Sequence, residues 1–183
     1  MGTYETTDIR KGLKVDLDGA PYEVAEFQFV KPGKGVSFTR LTLRPLLTGD
    51  VILMNLRSSD KLFEADWEEL ELPYVGEDGG LYRFVHAEIE LHESLDAALV
   101  ETAKPLLFPG VVVTICKYNR QVVRVTLPAF IEATVVAVGE VAETYPRTSA
   151  ATLANGTIVT VPLGVEVGDV IRVETVGGTY VSP

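Results

Sequence analysis

Alternation of apolar and polar residues is the main feature of the first sixty residues. Three stretches alternate with period two and a fourth is largely apolar: residues 13–17, 21–30, 37–44 and 51–56. Successive side chains of a strand point to opposite faces, so this period is typical of strands with one buried face. Asp18-Gly19 and Thr48-Gly49-Asp50 separate these stretches and are typical turn sequences. The pattern predicts four short strands, about enough for a small SH3-like barrel.

Similar short stretches continue to residue 181. They predict strands at residues 67–74, 81–85, 110–116, 121–127, 131–138, 157–161, 170–175 and 179–181. Apolar spacing over residues 94–101, with Ser94 as N-cap, predicts one helix. Regular short strands between Gly, Asn and Asp turns favour small barrels over one large sheet. We therefore predict an all-β chain of three small β-barrels, with domains at residues 1–64, 65–128 and 129–183.

Composition limits the compartment in which the chain is expected to work. Hydrophobic residues make up 46% of the 183 residues, which is ordinary for a globular protein. The one cysteine, Cys116, cannot form an internal disulfide, so a reducing compartment is expected. The first ten residues contain no apolar run like that of a signal peptide, and no stretch has the length and apolarity of a membrane span. A cytoplasmic protein with no membrane partner is the expectation.

Charge is distributed unevenly along the sequence. The formal net charge is −10, yet residues 1–63 carry nine Lys and Arg against eight Asp and Glu. No acid lies between Glu26 and Asp50, whereas four cations do: Lys31, Lys34, Arg40 and Arg44. A local basic segment on an acidic chain suggests that this part contacts phosphate. The alternative is a solvated hairpin with ordinary surface cations.

Signals for an enzyme are weak. His86, Glu88, Glu90 and His92 alternate with apolar residues and are predicted to line one face of a strand. The ends of such a row are about 20 Å apart, too far for one tetrahedral metal ion, so a solvated strand face is the better interpretation. The sequence has no G-x-S-x-G nucleophile motif, and Cys116 in its apolar strand is expected to be a buried, inert thiol. We expect no catalytic residue, no metal site and no bound cofactor.

One loop stands out within the basic segment, with the sequence Lys31-Pro32-Gly33-Lys34-Gly35. Pro32 fixes one φ angle, and Gly33 and Gly35 each permit positive φ, so two strands can reverse direction tightly here. This geometry is predicted to hold Lys34 at the apex, on a flexible four-carbon stem. A lysine in that position is accessible to a modifying enzyme and able to enter a narrow crevice.

The chain resembles the bacterial elongation factor P family from end to end. The first domain carries D8-I9-R10-K11-G12-L13, F29-V30-K31-P32-G33-K34-G35 and R44-P45-L46-L47-T48-G49. The last domain carries A151-T-L-A-N-G156-T-I-V159-T-V161-P162-L-G-V165-E-V-G168, which follows the family signature A-x(4)-G-x(2)-[LIV]-x-V-P-x(2)-[LIV]-x(2)-G. A P-G-K-G loop alone is weak evidence for the family. At the correct distance from this signature it is strong evidence. The middle domain matches mainly in strand pattern.

The resemblance implies a fold and a function. The fold is a KOW/SH3-like barrel followed by two OB-folds, arranged as an L-shaped tRNA mimic. The function is to bind the ribosome between the peptidyl and exit tRNA sites and to promote peptide bond formation at ribosomes stalled on consecutive prolines. The implied partners are the ribosome, peptidyl-tRNA, rRNA and a lysine-modifying enzyme, with the chain itself monomeric.

The resemblance also implies which residues form the working tip. Lys34 would lie near the acceptor end of peptidyl-tRNA and carry a covalent modification such as β-lysylation. The residues implied to contact tRNA or rRNA are Lys31, Pro32, Gly33, Lys34, Gly35, Arg40 and Arg44.

One segment departs from the family pattern. Relatives often carry a Gly-Asp-Thr segment, further glycines and a lysine before the signature alanine, whereas this chain has E143-T-Y-P-R-T-S-A-A151, with Ser149 in place of the lysine. The reading of exit-site mRNA by this loop is therefore in doubt. The departure keeps an alternative open: a divergent ribosome- or RNA-binding OB-fold protein that does not stimulate peptide transfer.

Overall fold

Three antiparallel β-sheets make up nearly all of the regular structure. The structure is a computed structural model, and it describes residues 2–143 and 145–183. The three sheets lie in consecutive parts of the chain, so the all-β prediction is confirmed. In the described part of the chain, no helix has both the length and the apolar character needed to cross a bilayer.

The first sheet has six strands in the order β1-β6-β2-β3-β4-β5. They are β1 (Thr3–Glu5), β2 (Lys14–Leu17), β3 (Ala20–Val30), β4 (Phe38–Pro45), β5 (Ile52–Arg57) and β6 (Lys61–Glu64). Strands β2 to β5 are the four that the alternating pattern predicts. Val15, Val24, Leu41 and Leu43 project from one face and are fully buried in the core of this sheet.

The second sheet has five strands in the order β11-β10-β7-β8-β9. They are β7 (Trp67–Asp78), β8 (Leu81–His86), β9 (Leu91–Asp96), β10 (Val112–Tyr118) and β11 (Gln121–Thr126). Leu72, Phe84, Val113 and Ile115 are completely buried. Cys116 on β10 is 2% exposed, which confirms the buried thiol expected from its apolar surroundings.

The predicted helix at residues 94–101 is wrong in its extent. Residues up to Asp96 belong to β9, and the helix α1 is a single turn, Ala97–Val100. Asp96, not Ser94, is the N-cap, and its carboxylate accepts a hydrogen bond from the Leu99 amide at 3.2 Å. One face of β9 carries Leu91, Glu93 and Leu95, and the strand pairs with β8. Tertiary pairing therefore overrides the helical spacing of this segment.

The predicted strand through His86 and His92 is also wrong. β8 ends at His86, Ala87–Ile89 form a 3₁₀ turn, and Glu90 has a left-handed conformation with φ of 51°. The chain therefore reverses, and β9 pairs back so that Leu91 faces His86 and His92 faces Val85.

The third sheet has five strands in the order β14-β13-β12-β15-β16. They are β12 (Phe130–Val141), β13 (Thr148–Leu153), β14 (Ile158–Pro162), β15 (Val170–Glu174) and β16 (Thr179–Ser182). The edge strands β14 and β16 approach each other, so the sheet curls toward a closed barrel around a core that includes Val135, Leu153 and Ile171. Sequence pattern missed β13, because its residues Thr-Ser-Ala-Ala-Thr-Leu are small and weakly apolar.

The turn of the C-terminal signature has a structural role. The Asn155 side-chain amide donates to the carbonyl oxygen of Pro105 at 2.8 Å, and the Thr157 hydroxyl donates to the same oxygen. Asn155 Oδ1 also accepts from the Thr157 amide at 3.0 Å. These bonds fix the β13–β14 turn to the segment before β10.

By packing, the chain divides into two compact units. One contains the residues up to Glu69 together with Cys116–Val123, and the other contains Leu70–Ile115 and Arg124–Pro183. Three domains divided near residues 64 and 128 remain a prediction.

Candidate functional site

The candidate site is the hairpin formed by β3 and β4. These two antiparallel strands pair from Tyr22–Pro45 to Val30–Phe38, with a bulge between Val24 and Glu26. The loop of residues 31–37 joins them. Long paired strands on both sides of this loop hold it at the end of the sheet, as the sequence predicts.

The loop presents its lysines to solvent. Lys31, Gly33, Lys34 and Gly35 are exposed, and Pro32 is half-buried. Among the residues that the structure describes, no acidic side chain forms an ion pair with Lys31 or Lys34. Both ammonium groups are therefore available to an external anion.

The two glycines beside Lys34 differ in conformation. Gly35 has φ of +113°, a region that L side chains rarely adopt, whereas Gly33 lies outside the positive-φ region. Both glycines permit positive φ, and of the two Gly35 adopts it. Only Gly35 is required by the backbone, since a side chain there would be strained.

Alternation along β4 separates two faces of the hairpin. Thr39, Leu41 and Leu43 point into the core, whereas Phe38, Arg40, Thr42 and Arg44 lie on the opposite, outer face. Near the tip the core is thin, and two aromatic side chains on β3 remain in contact with water: Phe27 is 48% exposed and Phe29 is 66% exposed.

Arg40 lies on the outer face, one row below the tip. It pairs across the sheet with Gln28 of β3 and Asn55 of β5. Its guanidinium carbon lies 5.9 Å from the centroid of the Phe38 ring, within the range of a cation–π contact. This contact orients an exposed cation beside the loop.

Arg44 lies away from the tip. It is six residues along β4 from Phe38, a distance of about 20 Å at the rise of a strand. Its guanidinium is hydrogen-bonded to Glu23, which also binds the Lys14 ammonium at 3.2 Å. The structure therefore brings Lys31, Pro32, Gly33, Lys34, Gly35 and Arg40 together at one end of the hairpin, but not Arg44.

The pKa of Glu23 reflects this pairing. Burial of its carboxyl raises the pKa, but hydrogen bonds from Arg44 and Lys14 lower it by more, so the pKa lies below its ordinary value. Glu23 is thus ionised at neutral pH and holds Arg44 in place.

Sequence reasoning missed another cation near the tip, Arg57. The register of β4 and β5 places Arg57 directly opposite Phe38, and its side chain is exposed. The turn predicted at residues 48–50 does not reveal this neighbour, because the observed register, with Leu43 opposite Ile52, is shifted from one centred on that turn.

Other candidate chemistry is not assembled. Among the described residues, no group of three or more His, Cys, Asp or Glu side chains is placed to hold a metal ion. The tip therefore offers exposed cations, an aromatic ring and a loop that turns through Gly35 at positive φ. Such a set suits binding to phosphate and nucleobases, with no acid–base pair in it.

Two family models match the chain at its two ends. The model of the elongation factor P KOW-like domain matches residues 5–62, and the model of the elongation factor P C-terminal domain matches residues 131–182. Together they cover more than half of the 183 residues. The first match contains the whole tip, and the second contains the signature turn.

A solved structure from a translation factor family shares the fold over part of this chain. A translation initiation factor eif-5a family protein from Naegleria fowleri superposes with a TM-score of 0.53 at 16% identity, covering 69% of this chain and 98% of that one. Eukaryotic translation initiation factor 5A from Methanococcus jannaschii gives a TM-score of 0.47 at 18% identity, covering 68% of this chain and 93% of that one. At such identities the first likeness bears on the fold alone.

Proposed function

Because this chain belongs to the elongation factor P family, a family of translation factors, we propose that it promotes peptide bond formation on ribosomes stalled at consecutive prolines. In this proposal it binds the ribosome between the peptidyl and exit tRNA sites. Its partners are peptidyl-tRNA, rRNA and an enzyme that modifies Lys34.

The observation that carries the proposal is the exposed tip of the β3–β4 hairpin. Lys34 extends from a seven-residue loop, flanked by a glycine with φ of +113°, and has no acidic partner among the described residues. Lys31 and Arg40 add positive charge on the same end. A polyanion approached by this end meets cations whose charge is not already neutralised.

The proposed mechanism is positional. Proline is a constrained participant in peptide transfer, so the reaction gains from any contact that holds peptidyl-tRNA in a productive geometry. Lys34 would supply that contact near the acceptor end, while Lys31, Pro32, Gly33, Gly35 and Arg40 support it. Arg44, held by Glu23, would meet RNA only farther down the outer face. Such a factor needs no proton-transferring side chain of its own.

Covalent modification of Lys34 is part of the proposal. An amino-bearing group such as β-lysine would lengthen the side chain and add charge, and both suit a phosphate-lined crevice. The exposure of Lys34 and the absence of a described ion-pair partner leave its ammonium accessible to an enzyme.

Synthesis of a Pro-Pro-Pro peptide on purified ribosomes tests the function. The protein is expected to speed this synthesis and to leave a proline-free peptide unaffected, and co-sedimentation with ribosomes reports binding separately. Binding without any effect on the proline peptide would refute the proposed function.

The segment before the C-terminal signature favours one alternative, a ribosome- or RNA-binding protein that does not stimulate peptide transfer. Ser149, where relatives carry a lysine, is 7% exposed and pairs with Val161 inside the third sheet. This position therefore presents no cation to RNA. Thr144 of the same segment lies outside the described residues. Ribosome binding with no polyproline effect would support this alternative.

A further inference from the structure

A cavity lies within the second compact unit, between the second sheet and the turn that joins β13 and β14. It has a volume of about 480 Å³, which is within the range of small-ligand sites. All of its lining residues belong to that unit, and the proposed function uses none of their side chains. Those that matter here are Tyr74 and Glu77 of β7, Tyr82 of β8, Glu101, Lys104 and Asn155.

Two tyrosines form the wall of the cavity on the side of the second sheet. Tyr74 is 7% exposed and Tyr82 is 4% exposed, so both rings are fixed by the core. Their ring centroids are 6.1 Å apart in a stacked arrangement. Burial above all raises the pKa of Tyr74, so its hydroxyl stays protonated at neutral pH. The wall is therefore a rigid, neutral surface against which the aliphatic part of a ligand can pack.

Lys104 supplies one positive charge at this wall. Its ammonium lies 5.7 Å from the centroid of the Tyr82 ring, within the range of a cation–π contact. A hydrogen bond to Tyr82 above all raises the pKa of Lys104 above its ordinary value, so the side chain is cationic at neutral pH. The ion pairs of the described residues do not include Lys104. An ammonium has further N–H groups to donate, so Lys104 can bind the carboxylate of a ligand.

Two carboxylates, those of Glu77 and Glu101, line the same cavity. Both residues are exposed, and in the part of the chain that the structure describes neither forms an ion pair. Glu77 is near enough to Tyr74 and Lys104 to interact electrostatically with both. The charged side chains of the cavity are therefore one ammonium and two carboxylates.

The β13–β14 turn closes the cavity on the side of the third sheet. The Asn155 side-chain amide donates to the Pro105 carbonyl oxygen at 2.8 Å, and the Thr157 hydroxyl donates to the same oxygen. These bonds hold the turn against the segment that carries Lys104. The cavity is therefore formed before a ligand enters, which limits the entropic cost of binding.

We propose that this cavity binds a basic amino acid such as lysine. The α-carboxylate of the ligand binds Lys104, its two ammonium groups bind Glu77 and Glu101, and its aliphatic chain packs on Tyr74 and Tyr82. The charges of the ligand and of the cavity are then equal in number and opposite in sign, so each is paired in a charge-assisted hydrogen bond.

Other classes of small ligand leave a charge of the cavity without a partner. An anion such as phosphate would bind Lys104 but would be repelled by two carboxylates. A diamine would bind both carboxylates but would place no anion beside Lys104. A neutral amino acid would leave one carboxylate unpaired. The inference is independent of the proposed function, because no residue of the tip takes part in it.

Titration of the isotope-labelled full chain with L-lysine, followed by NMR, tests the proposal. Shifts of the Tyr74 and Tyr82 rings and of the Gly156 amide should saturate with a Kd on the order of 1 mM, as expected for a ligand of about ten non-hydrogen atoms. Amide signals of the first sheet should stay in place, which separates binding at the cavity from a general effect of the added solute.

Three analogues each remove one charged group from lysine. Cadaverine lacks the carboxylate, Nα-acetyl-lysine lacks the α-ammonium, and norleucine lacks the side-chain ammonium. Each is expected to bind about fivefold more weakly than lysine, because an ion pair open to solvent contributes modestly. Equal affinity for Nα-acetyl-lysine would point to the carboxyl end of a peptide as the ligand and would overturn the proposal.

Lys104→Gln separates a binding role of Lys104 from a structural one. It should weaken binding of L-lysine about fivefold but should not weaken binding of cadaverine, which has no carboxylate for that ammonium. Glu101→Gln should weaken binding of both ligands. Glu71→Gln is the matched control, since it removes an exposed carboxylate of β7 that does not line the cavity, and it should keep wild-type affinity.

Three results would each overturn the inference: no saturable shift at Tyr74 and Tyr82 with L-lysine, equal affinity of the wild type for L-lysine and cadaverine, or wild-type affinity for L-lysine in Lys104→Gln. An equal loss in Glu101→Gln and Glu71→Gln would also contradict it, because general charge attraction would then explain the binding. The comparison of ligands on the wild type needs no substitution, so it decides the question by itself if a variant fails to fold.

Discussion

Lys34 and its two neighbours show how much of the tip could be predicted from single residues. Proline and glycine restrict or extend the backbone locally, so the position of the loop could be predicted from the sequence alone. Which glycine carries positive φ depends on how the seven-residue loop closes between Val30 and Phe38, and only Gly35 does. Arg57 could not be found from local sequence, because its proximity to Phe38 depends on strand register.

Modification of Lys34 is a prediction at this scale. Protein purified from its source cell should have an intact mass above that of the unmodified chain, and peptide mapping should place the difference on Lys34. The physical reason is accessibility, since the side chain is exposed and has no described acidic partner. Lys31, three residues away and also exposed, serves as the internal comparison. An unmodified mass would refute this prediction.

The two tip glycines give a matched pair of substitutions. Gly35→Ala places a side chain at φ of +113° and should destabilise the protein by about 1 kcal/mol. Gly33→Ala has no atom within 4 Å of the new Cβ and no positive φ, so its free energy of unfolding should change by less. Urea unfolding of the two variants measures the difference. Equal stability in both variants would show that Gly35 is not a constraint on the loop.

At the scale of elements, the apolar–polar pattern predicted where strands occur better than it predicted where they end or which strands pair. β2 to β4 follow from period-two alternation and β5 from a largely apolar stretch, whereas the three-residue β1 and the four-residue β6 were not predicted. The segment before α1 has helical spacing but forms β9, because β8 provides a partner that no local signal describes. Pairing between strands, which no local pattern describes, therefore decided each of these differences.

The ion pairs of Glu23 predict that the stability of the protein depends on pH. The pKa of Glu23 is lowered in the folded protein, so its pairing with Arg44 and Lys14 contributes stability above the ordinary pKa of a glutamate and loses it as pH falls through the lowered pKa. Glu23→Gln should therefore be less stable than wild type at neutral pH. The difference should shrink as the solution is acidified below about pH 4.

Thermal unfolding of wild type and Glu23→Gln across this pH range measures the effect. Glu5→Gln is a suitable control, since its ion pair with Lys61 is exposed on both sides and should contribute little. A difference between wild type and Glu23→Gln that persists unchanged at low pH would contradict the assignment.

At the scale of the whole molecule, composition and motifs were sufficient to identify the fold class and the family. The all-β class follows from alternation along the whole chain, and the family follows from motifs at its two ends. The net charge of −10 conceals the site, because the acid-free stretch between Glu26 and Asp50, with its four cations, is a small part of an acidic chain. The arrangement of cations on the hairpin required the structure: Arg44 is neutralised by Glu23, while Arg57 lies beside the tip.

The most direct measurement is the rate of peptide bond formation between consecutive prolines on purified ribosomes, with and without this protein. We predict that wild type raises this rate about tenfold, equivalent to about 1.4 kcal/mol of activation free energy, and that Lys34→Ala removes the increase. Lys11→Ala, which removes a cation far from the tip, should retain it. Equal rates with and without the wild-type protein would contradict the account.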